Sequence, residues 1–414
     1  MGSIITLGIE KFELDWGKNG LARDYSSLYQ QSDVKLETYY YVDNYVEKKE
    51  ALSAPLSKIK KRLELLGYNL KKVKSDYRLA AEYFFNITSI TAPLTFEKFF
   101  KILKTFDVTT AEIDENDEYS GDHSFGAYFT NCIVKKLKIK GSSEWSRFIG
   151  QFYENLDPLI TIRLLAENSK NLRKHIIWRY HDVLDGGWIE KEDVFRQPED
   201  SQKFLIVTEG TTDLFVIKRA LELFHADIID FFNFIDMQEN YPFTGCSNLF
   251  KFLQGLAKVH PINNVLAVFD NDTAGNEQYN LCKNLKLPKN IKTIKLPELL
   301  EFRKFKTIGP TGYKQDNING KAVSIECFLD LNYKVKSTPV IRWSNYNKAM
   351  GQYQGNLEEK ENYVRIFKKM HSRSKYNFAN LQKLCDYIIW HCSNMNYTAN
   401  NRLDDRPGIP PDCF

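Results

Sequence analysis

Two acid-bearing stretches hold the residue types that could do chemistry. The first is Phe204-Leu205-Ile206-Val207-Thr208-Glu209-Gly210-Thr211-Thr212-Asp213, and the second is Val265-Leu266-Ala267-Val268-Phe269-Asp270-Asn271-Asp272-Thr273-Ala274-Gly275. Each passes from apolar, β-rich residues into a carboxylate and then into a small-residue turn. Short apolar runs bounded by turns read as strands buried on both faces of a parallel sheet. Their acids then stand at the carboxyl ends of the strands, where open α/β sheets place ligand-binding and catalytic groups. Brought side by side, Glu209, Asp270 and Asp272 repel one another, and a shared cation relieves that repulsion. Acids at such points also cap helices, but two matching strand–acid–turn units favour a metal. Gly210 and Gly275 allow tight turning where a phosphate must come close.

The elements that would position these acids alternate. Helical periodicity covers 214–224, 247–259 and 277–284, and further strand patterns cover 228–235 and 291–296. Alternation of this kind implies right-handed crossovers and a parallel sheet. The fold class expected is therefore an α/β core, a Rossmann-like parallel sheet flanked by helices, over residues 202–335. Residues 336–414 read as an extension packed on it, with a terminal helix over 377–399 and a proline-rich loose tail from 404.

Before this core the chain reads as a mixed α+β, largely helical region. Residues 1–75 form a small module, with strands at 3–9 and 12–16, a turn at 17–20 and a helix over 55–66 stopped at Gly67. Residues 76–196 form a helical accessory region, with periodic runs at 77–85, 96–106, 148–165 and 172–183. The acidic 113–118 segment reads as a solvated loop, and 197–201 as a linker. No catalytic constellation precedes residue 200.

Composition sets outer limits. The 414 residues allow two or three domains, and a 43% hydrophobic fraction suffices for ordinary cores. With no apolar run of membrane-spanning length and no basic-then-apolar leader, the expectation is a cytoplasmic protein with no membrane partner. Seven cysteines without a C-x-x-C pair agree with reduced thiols. A net charge of +4 is too mild to name a partner. The abundance of Lys, Asn, Tyr and Ile is that of an AT-rich, bacterial-type coding sequence.

The pattern Glu209-Gly210-x-x-Asp213 followed by Asp270-x-Asp272 resembles the Toprim domain. Topoisomerases, bacterial primases, small RNA-maturation nucleases and the overcoming-lysogenization-defect (OLD) nucleases share that domain. The resemblance implies cutting or joining of phosphodiesters with Mg²⁺ or Mn²⁺. Mg²⁺ asks for hard oxygen ligands, usually one or two carboxylates completed by phosphate and water. The amino-terminal half resembles the domain named for its association with HEPN and Toprim effectors. The similarity lies in Phe12-Glu13-Leu14-Asp15-Trp16-Gly17-Lys18-Asn19, Leu63 to Tyr68, Leu156-Asp157-Pro158, Leu164 to Asn168 and Asp185-Gly186-Gly187-Trp188. These motifs carry packing rather than chemistry.

Beyond residue 300 the resemblance narrows to the OLD-like branch. Ser324-Ile325-Glu326 matches a motif that adds a carboxylate for a second cation, and Asp213 would join Glu326 there. Two cations roughly 4 Å apart stabilise both the attacking and the leaving oxygen of a displacement. Asp213 could instead favour its helix N-terminus electrostatically. Tyr353 to Lys360 resembles the family's late Lys-bearing segment. By analogy Lys360 neutralises charge on the scissile phosphate; the alternative is a solvated helix lysine.

A basic stretch spans residues 283–306. Within it Lys286, Lys289, Lys292 and Arg303 are expected to hold a phosphate backbone without reading sequence. Phe302, Phe305 and Tyr313 either stack on unpaired bases or pack. Arg365 and His371 fit a HEPN ribonuclease spacing, but Arg219 and His225 fit it equally, so the pattern has no weight. Twenty-three tyrosines offer no nucleophile motif, which disfavours a topoisomerase. With no P-loop, ATP control would need an ATPase or sensor partner, and a homodimer is a further possibility. The sequence thus points to a Mg²⁺-dependent endonuclease acting on nucleic acid, with Glu209 as metal ligand or proton relay, in defence against phage. A noncatalytic binding subunit is the alternative.

Overall fold

Five segments of the amino-terminal half, two of them buried along nearly their whole length, pair into one antiparallel sheet. They are β1 (Ile4–Ile9), β2 (Phe12–Lys18), β3 (Val34–Tyr40), β4 (Val46–Pro55) and β5 (His175–Arg179), in the order β2-β1-β5-β4-β3. The computed structural model describes residues 2–10, 12–41, 45–88, 95–110, 150–234, 245–259, 261–335 and 337–395. The expected 113–118 loop and the tail from 404 lie outside them. By its contacts the chain divides into two units, Met1–Pro198 and Glu199–Phe414.

In the first unit, β5 corrects the expected helix over 172–183. Ile176, Ile177 and Trp178 are buried there, and β-branched and aromatic side chains fit a pleated, buried surface better than a helix. This strand pairs with both β1 and β4, so the expected boundary at residue 75 does not separate a sheet module from a helical one. The helices α1 (Leu56–Leu65), α2 (Leu70–Thr88) and α3 (Phe96–Thr105) cover predicted periodic runs, while the helix expected over 148–165 is broken at Leu156-Asp157, where Asp157 caps α4 (Pro158–Leu165). Aromatic rings lock them: Tyr77 stacks on Phe99 at 5.1 Å, and Phe99 on Tyr153 at 4.8 Å. Arg62 is fully buried, and its guanidinium donates to the carbonyls of Ser27 at 2.9 Å and Tyr29 at 3.0 Å. The motifs expected to carry packing do so. Tyr25 donates to Asp15, and Tyr68 donates to Asp157 at 2.9 Å.

The second unit is built on the expected parallel sheet. Its strands are β6 (Phe204–Thr208), β7 (Phe232–Phe234), β8 (Asn264–Phe269) and β10 (Ile291–Lys295), in the order β10-β8-β6-β7. The register runs Phe204↔Asn264 to Thr208↔Val268, so the residues after Thr208 and Phe269 leave the sheet at one end. Helices α5 (Thr211–Phe224), α6 (Cys246–Val259) and α7 (Thr273–Cys282) flank it. Leu249 and Leu253 of α6 pack on Val207, Val265, Ala267 and Phe269. The strand expected over 228–235 is shorter than predicted, because Ile229–Phe231 form a 3₁₀ turn ahead of β7.

A second sheet has no counterpart in the sequence pattern. Four strands, β11 (Phe305–Gly309), β12 (Gly312–Asp316), β14 (Ile341–Asn347) and β15 (Gln352–Leu357), pair in the order β12-β11-β14-β15. Strand β12 carries no buried residue and β14 has one, so hydrophobic alternation does not announce them. Two short strands, β9 (Asn271–Asp272) and β13 (Ala322–Val323), tie the acid turn to the 320s. Helices α8 (Lys360–Phe367) and α9 (Ala379–Ser393) complete the unit.

Candidate functional site

The parallel register explains why separated acids meet. Strand β6 ends at Thr208 and β8 at Phe269, so Glu209 and Asp270 emerge side by side. Glu209 Oε1 accepts a hydrogen bond from the Asp270 amide at 2.9 Å. Helix α5 starts one residue after Gly210, and its Asp213 turns back to accept from the Gly210 amide at 2.9 Å. Asp272 caps α7 by accepting from the Gly275 amide at 2.7 Å. The pairing of β13 with β9 brings in the segment bearing Glu326, which is buried and accepts from its neighbour Ser324 Oγ at 2.6 Å.

These five carboxylates interact as a group, whatever surface each residue retains. Burial pushes Glu209 up to about 8, with repulsion from Asp272 adding to it. Burial pushes Asp213 up to about 7, with Glu326 adding. Asp270 is raised well above the usual carboxylate range by burial, then by Asp213, Glu209, Asp272 and Glu326. Asp272 is raised by burial, although the amides of Gly275 and Ala274, Gln354 and Lys360 oppose the rise. Lys360 sits exposed at the first turn of α8, and its charge also favours ionised Asp213. The charge of Lys360 thus acts on two of the acids, Asp213 and Asp272.

Among the described residues no three acids, histidines or thiols form a ready-made metal cage. The hydrogen bonds give the reason. One oxygen each of Glu209 and Asp213 is turned onto a backbone amide, and both oxygens of Asp272 are engaged. Its Oδ2 accepts from Gln354 Nε2, while Gln354 Oε1 accepts from the Ala274 amide at 3.0 Å. Asp270, by contrast, accepts no hydrogen bond on its carboxylate among the described residues. A hard oxygen donor set with an open carboxylate fits Mg²⁺ or Mn²⁺, because such ions take only one or two carboxylates and keep water and phosphate as other ligands.

Of the two glycines, Gly275 is the stricter. A Cβ there would lie 2.4 Å from the Asp270 carbonyl and 2.9 Å from Glu209 Oε1, so any side chain would displace the carboxylate. The chain bends at Glu209-Gly210, but Gly210 has φ of −144°, ordinary extended backbone that does not require glycine. Gln354 is a site residue that the sequence reading misses. It lies in the quoted segment, but nothing in the sequence says that β15 runs beside Asp272.

The basic stretch is split by the fold. Strand β10 runs parallel to β8, with Ile291 opposite Val265 and Lys295 opposite Phe269. Lys286 and Lys289 therefore lie at the amino ends of the strands, away from the acids. Lys292 is half-buried against α9, with its ammonium 3.4 Å from the His391 carbonyl and 5.8 Å from the Trp390 ring. These three are not placed to line the acid cluster; Arg303 is exposed at the end of a 3₁₀ turn over Leu300–Arg303. Phe302 is buried against Phe328 and cannot stack on a base.

Among the described residues, no helix is long and apolar enough to cross a membrane. No curated protein and no solved structure is found to match this chain. The amino-terminal motifs are borne out: residues 1–202 match the family model described as HEPN/Toprim N-terminal domain 1, which ties this half of the chain to a nuclease-related family.

Proposed function

We propose that this protein is a metal-dependent nuclease of the Toprim type, similar to the OLD-like branch, that hydrolyses phosphodiester bonds in nucleic acid. One observation carries the reading. Three separate segments bring Glu209 and Asp213, Asp270 and Asp272, and buried Glu326 into one group, the first four have raised pKa values, and the charge of Lys360 opposes the rise at Asp213 and Asp272. A structural core gains nothing from mutually repelling carboxylates, and a passive binder of phosphates would be repelled by them. Mg²⁺ or Mn²⁺ bound here would supply charge for the scissile phosphate and an activated water.

The chain's own groups have assignable parts. Asp270 offers an unencumbered carboxylate to the first cation, with Asp272 beside it, fixed by Gln354. Asp213 and Glu326 serve the second. Glu209 keeps one oxygen on the Asp270 amide, and a value of about 8 suits it to hold or pass a proton near neutral pH. Lys360 neutralises charge developing on phosphate. The biological setting we favour is cytoplasmic defence against phage, with a sensor or ATPase partner or a second copy of the chain as trigger.

The test is incubation of purified protein with plasmid, single-stranded DNA and tRNA, with Mg²⁺, Mn²⁺ or EDTA. Cleavage that needs metal and disappears in Asp270→Asn is expected. Binding without any metal-dependent cleavage would favour the noncatalytic subunit.

A further inference from the structure

The sheet β12-β11-β14-β15 leaves one face open, and the registers say which residues occupy it. Ile308 pairs with Tyr313 across β11 and β12, and with Arg342 across β11 and β14; Arg342 in turn pairs with Asn356 of β15. Cross-strand partners share a face, as do residues two apart along a strand. Lys306, Tyr313, Arg342 and Asn356 therefore look the same way. Side-chain distances agree: the Lys306 ammonium is 4.7 Å from the Tyr313 ring centre, and Asn356 Nδ2 donates to Ser344 Oγ at 3.4 Å. The opposite face holds buried Thr307, Ile341 and Leu357.

Three features of the open face point to one occupant. Tyr313 is 64% exposed and contributes nothing to the core, yet the Lys306 ammonium sits over its ring. The segment 303–316 carries Arg303, Lys304, Lys306 and Lys314 against Asp316 alone; Lys306 lies on the open face, whereas Lys314 pairs with Thr307, and Asp316 is occupied by Thr307 Oγ1 and Trp343 Nε1. Finally, the face is continuous with the acid cluster. Gln354, two residues before Asn356 on β15, reaches Asp272.

We propose that this face binds a single strand of nucleic acid and leads it to the carboxylates. Bases stack on Tyr313, while Lys306 and Arg342 take phosphates. Arg342 gives up an exposed ion pair with Glu358 to do so, and such pairs contribute little. A flat aromatic on a sheet needs an unstacked base, which a duplex does not offer. The route to the acids rests on the nuclease reading; the binding does not.

The experiment is fluorescence anisotropy in EDTA, with labelled oligothymidylate, oligouridylate and a duplex. Tyr313→Ala should weaken single-strand binding about tenfold, with Tyr313→Phe close to wild type. Lys306→Ala combined with Arg342→Ala should lower the slope of log affinity against log salt by about 0.7 for each phosphate no longer held. Absence of single-strand binding by the wild type, a preference for duplex, or full affinity in Tyr313→Ala would overturn the proposal. Wild type that binds strands through Tyr313 yet never cuts them with Mg²⁺ would remove the nuclease reading and leave the platform. Metal-dependent cutting with unchanged affinity in all three variants would do the reverse.

Discussion

In the amino-terminal unit, Lys58 lies 2.7 Å from Asp33, and Arg163 spans Glu64 and Glu167, both at 2.7 Å. In the carboxy-terminal unit, Glu209, Asp213, Asp270 and Asp272 make no ion pair among the described residues, and all four are raised. The first arrangement is what folding alone selects, because an unpaired buried charge is costly. Even Asp15, raised by burial, has Tyr25 and Arg23 beside it. The second arrangement keeps a cost that folding does not require, and it marks where the chain expects a positively charged partner.

The contrast breaks most clearly at Asp270. Asp270→Asn should lower metal-dependent cleavage about a thousandfold or more, as expected when several kcal/mol of transition-state charge stabilisation is lost. The same variant should melt at the same or a higher temperature in metal-free buffer. A variant that unfolds, with normal activity in the soluble fraction, would make these acids structural like those of the other unit.

Arg163→Ala is the converse. Leaving Glu64 without its partner and Glu167 with Lys60 alone should cost about 3 kcal/mol, read as a shift in the denaturant midpoint of the amino-terminal unit. Cleavage per folded molecule should stay the same.

The pH dependence of stability should also separate the units. Free Glu titrates near 4.5, whereas folded Glu209 does so near 8 and Asp213 near 7. Between those values the unfolded chain has ionised and the folded one has not, so unfolding becomes easier as pH rises. In EDTA the melting temperature should fall by roughly 5 °C or more from about pH 5 to about pH 8, then level off. Glu209→Gln should flatten the slope, and Mg²⁺ should restore the loss. A melting temperature that rises with pH in EDTA would contradict the raised values.

Two smaller effects sharpen the map within the site's own unit. Gln354→Ala should raise the Mg²⁺ concentration for half-maximal cleavage by about tenfold, as losses of groups that orient metal ligands usually do. Lys286→Glu with Lys289→Glu should leave affinity and salt slope within error, since both lie at the far end of the sheet. A fall in slope of about 1.5 there would show that substrate also runs along that end.

The sequence by itself determined the parallel core and its acids. Strand β8 is buried throughout and β6 nearly so, so their hydrophobic runs are continuous and an acid at the end of each stands out. Gly275 was legible for the same reason, although its use is to leave room for Glu209. Tertiary structure alone decided the rest. Strand β5 reads as a helix because five residues cannot distinguish one period from another. Strands β11, β12, β14 and β15 expose most of one face, so burial imprints little on their pattern. Lys286, Lys289 and Lys292 looked like one basic stretch because sequence distance ignores that a strand carries its two ends to opposite edges of a sheet. Gln354 holds Asp272 across 82 positions, and only pairing of the chain with itself could bring the two together.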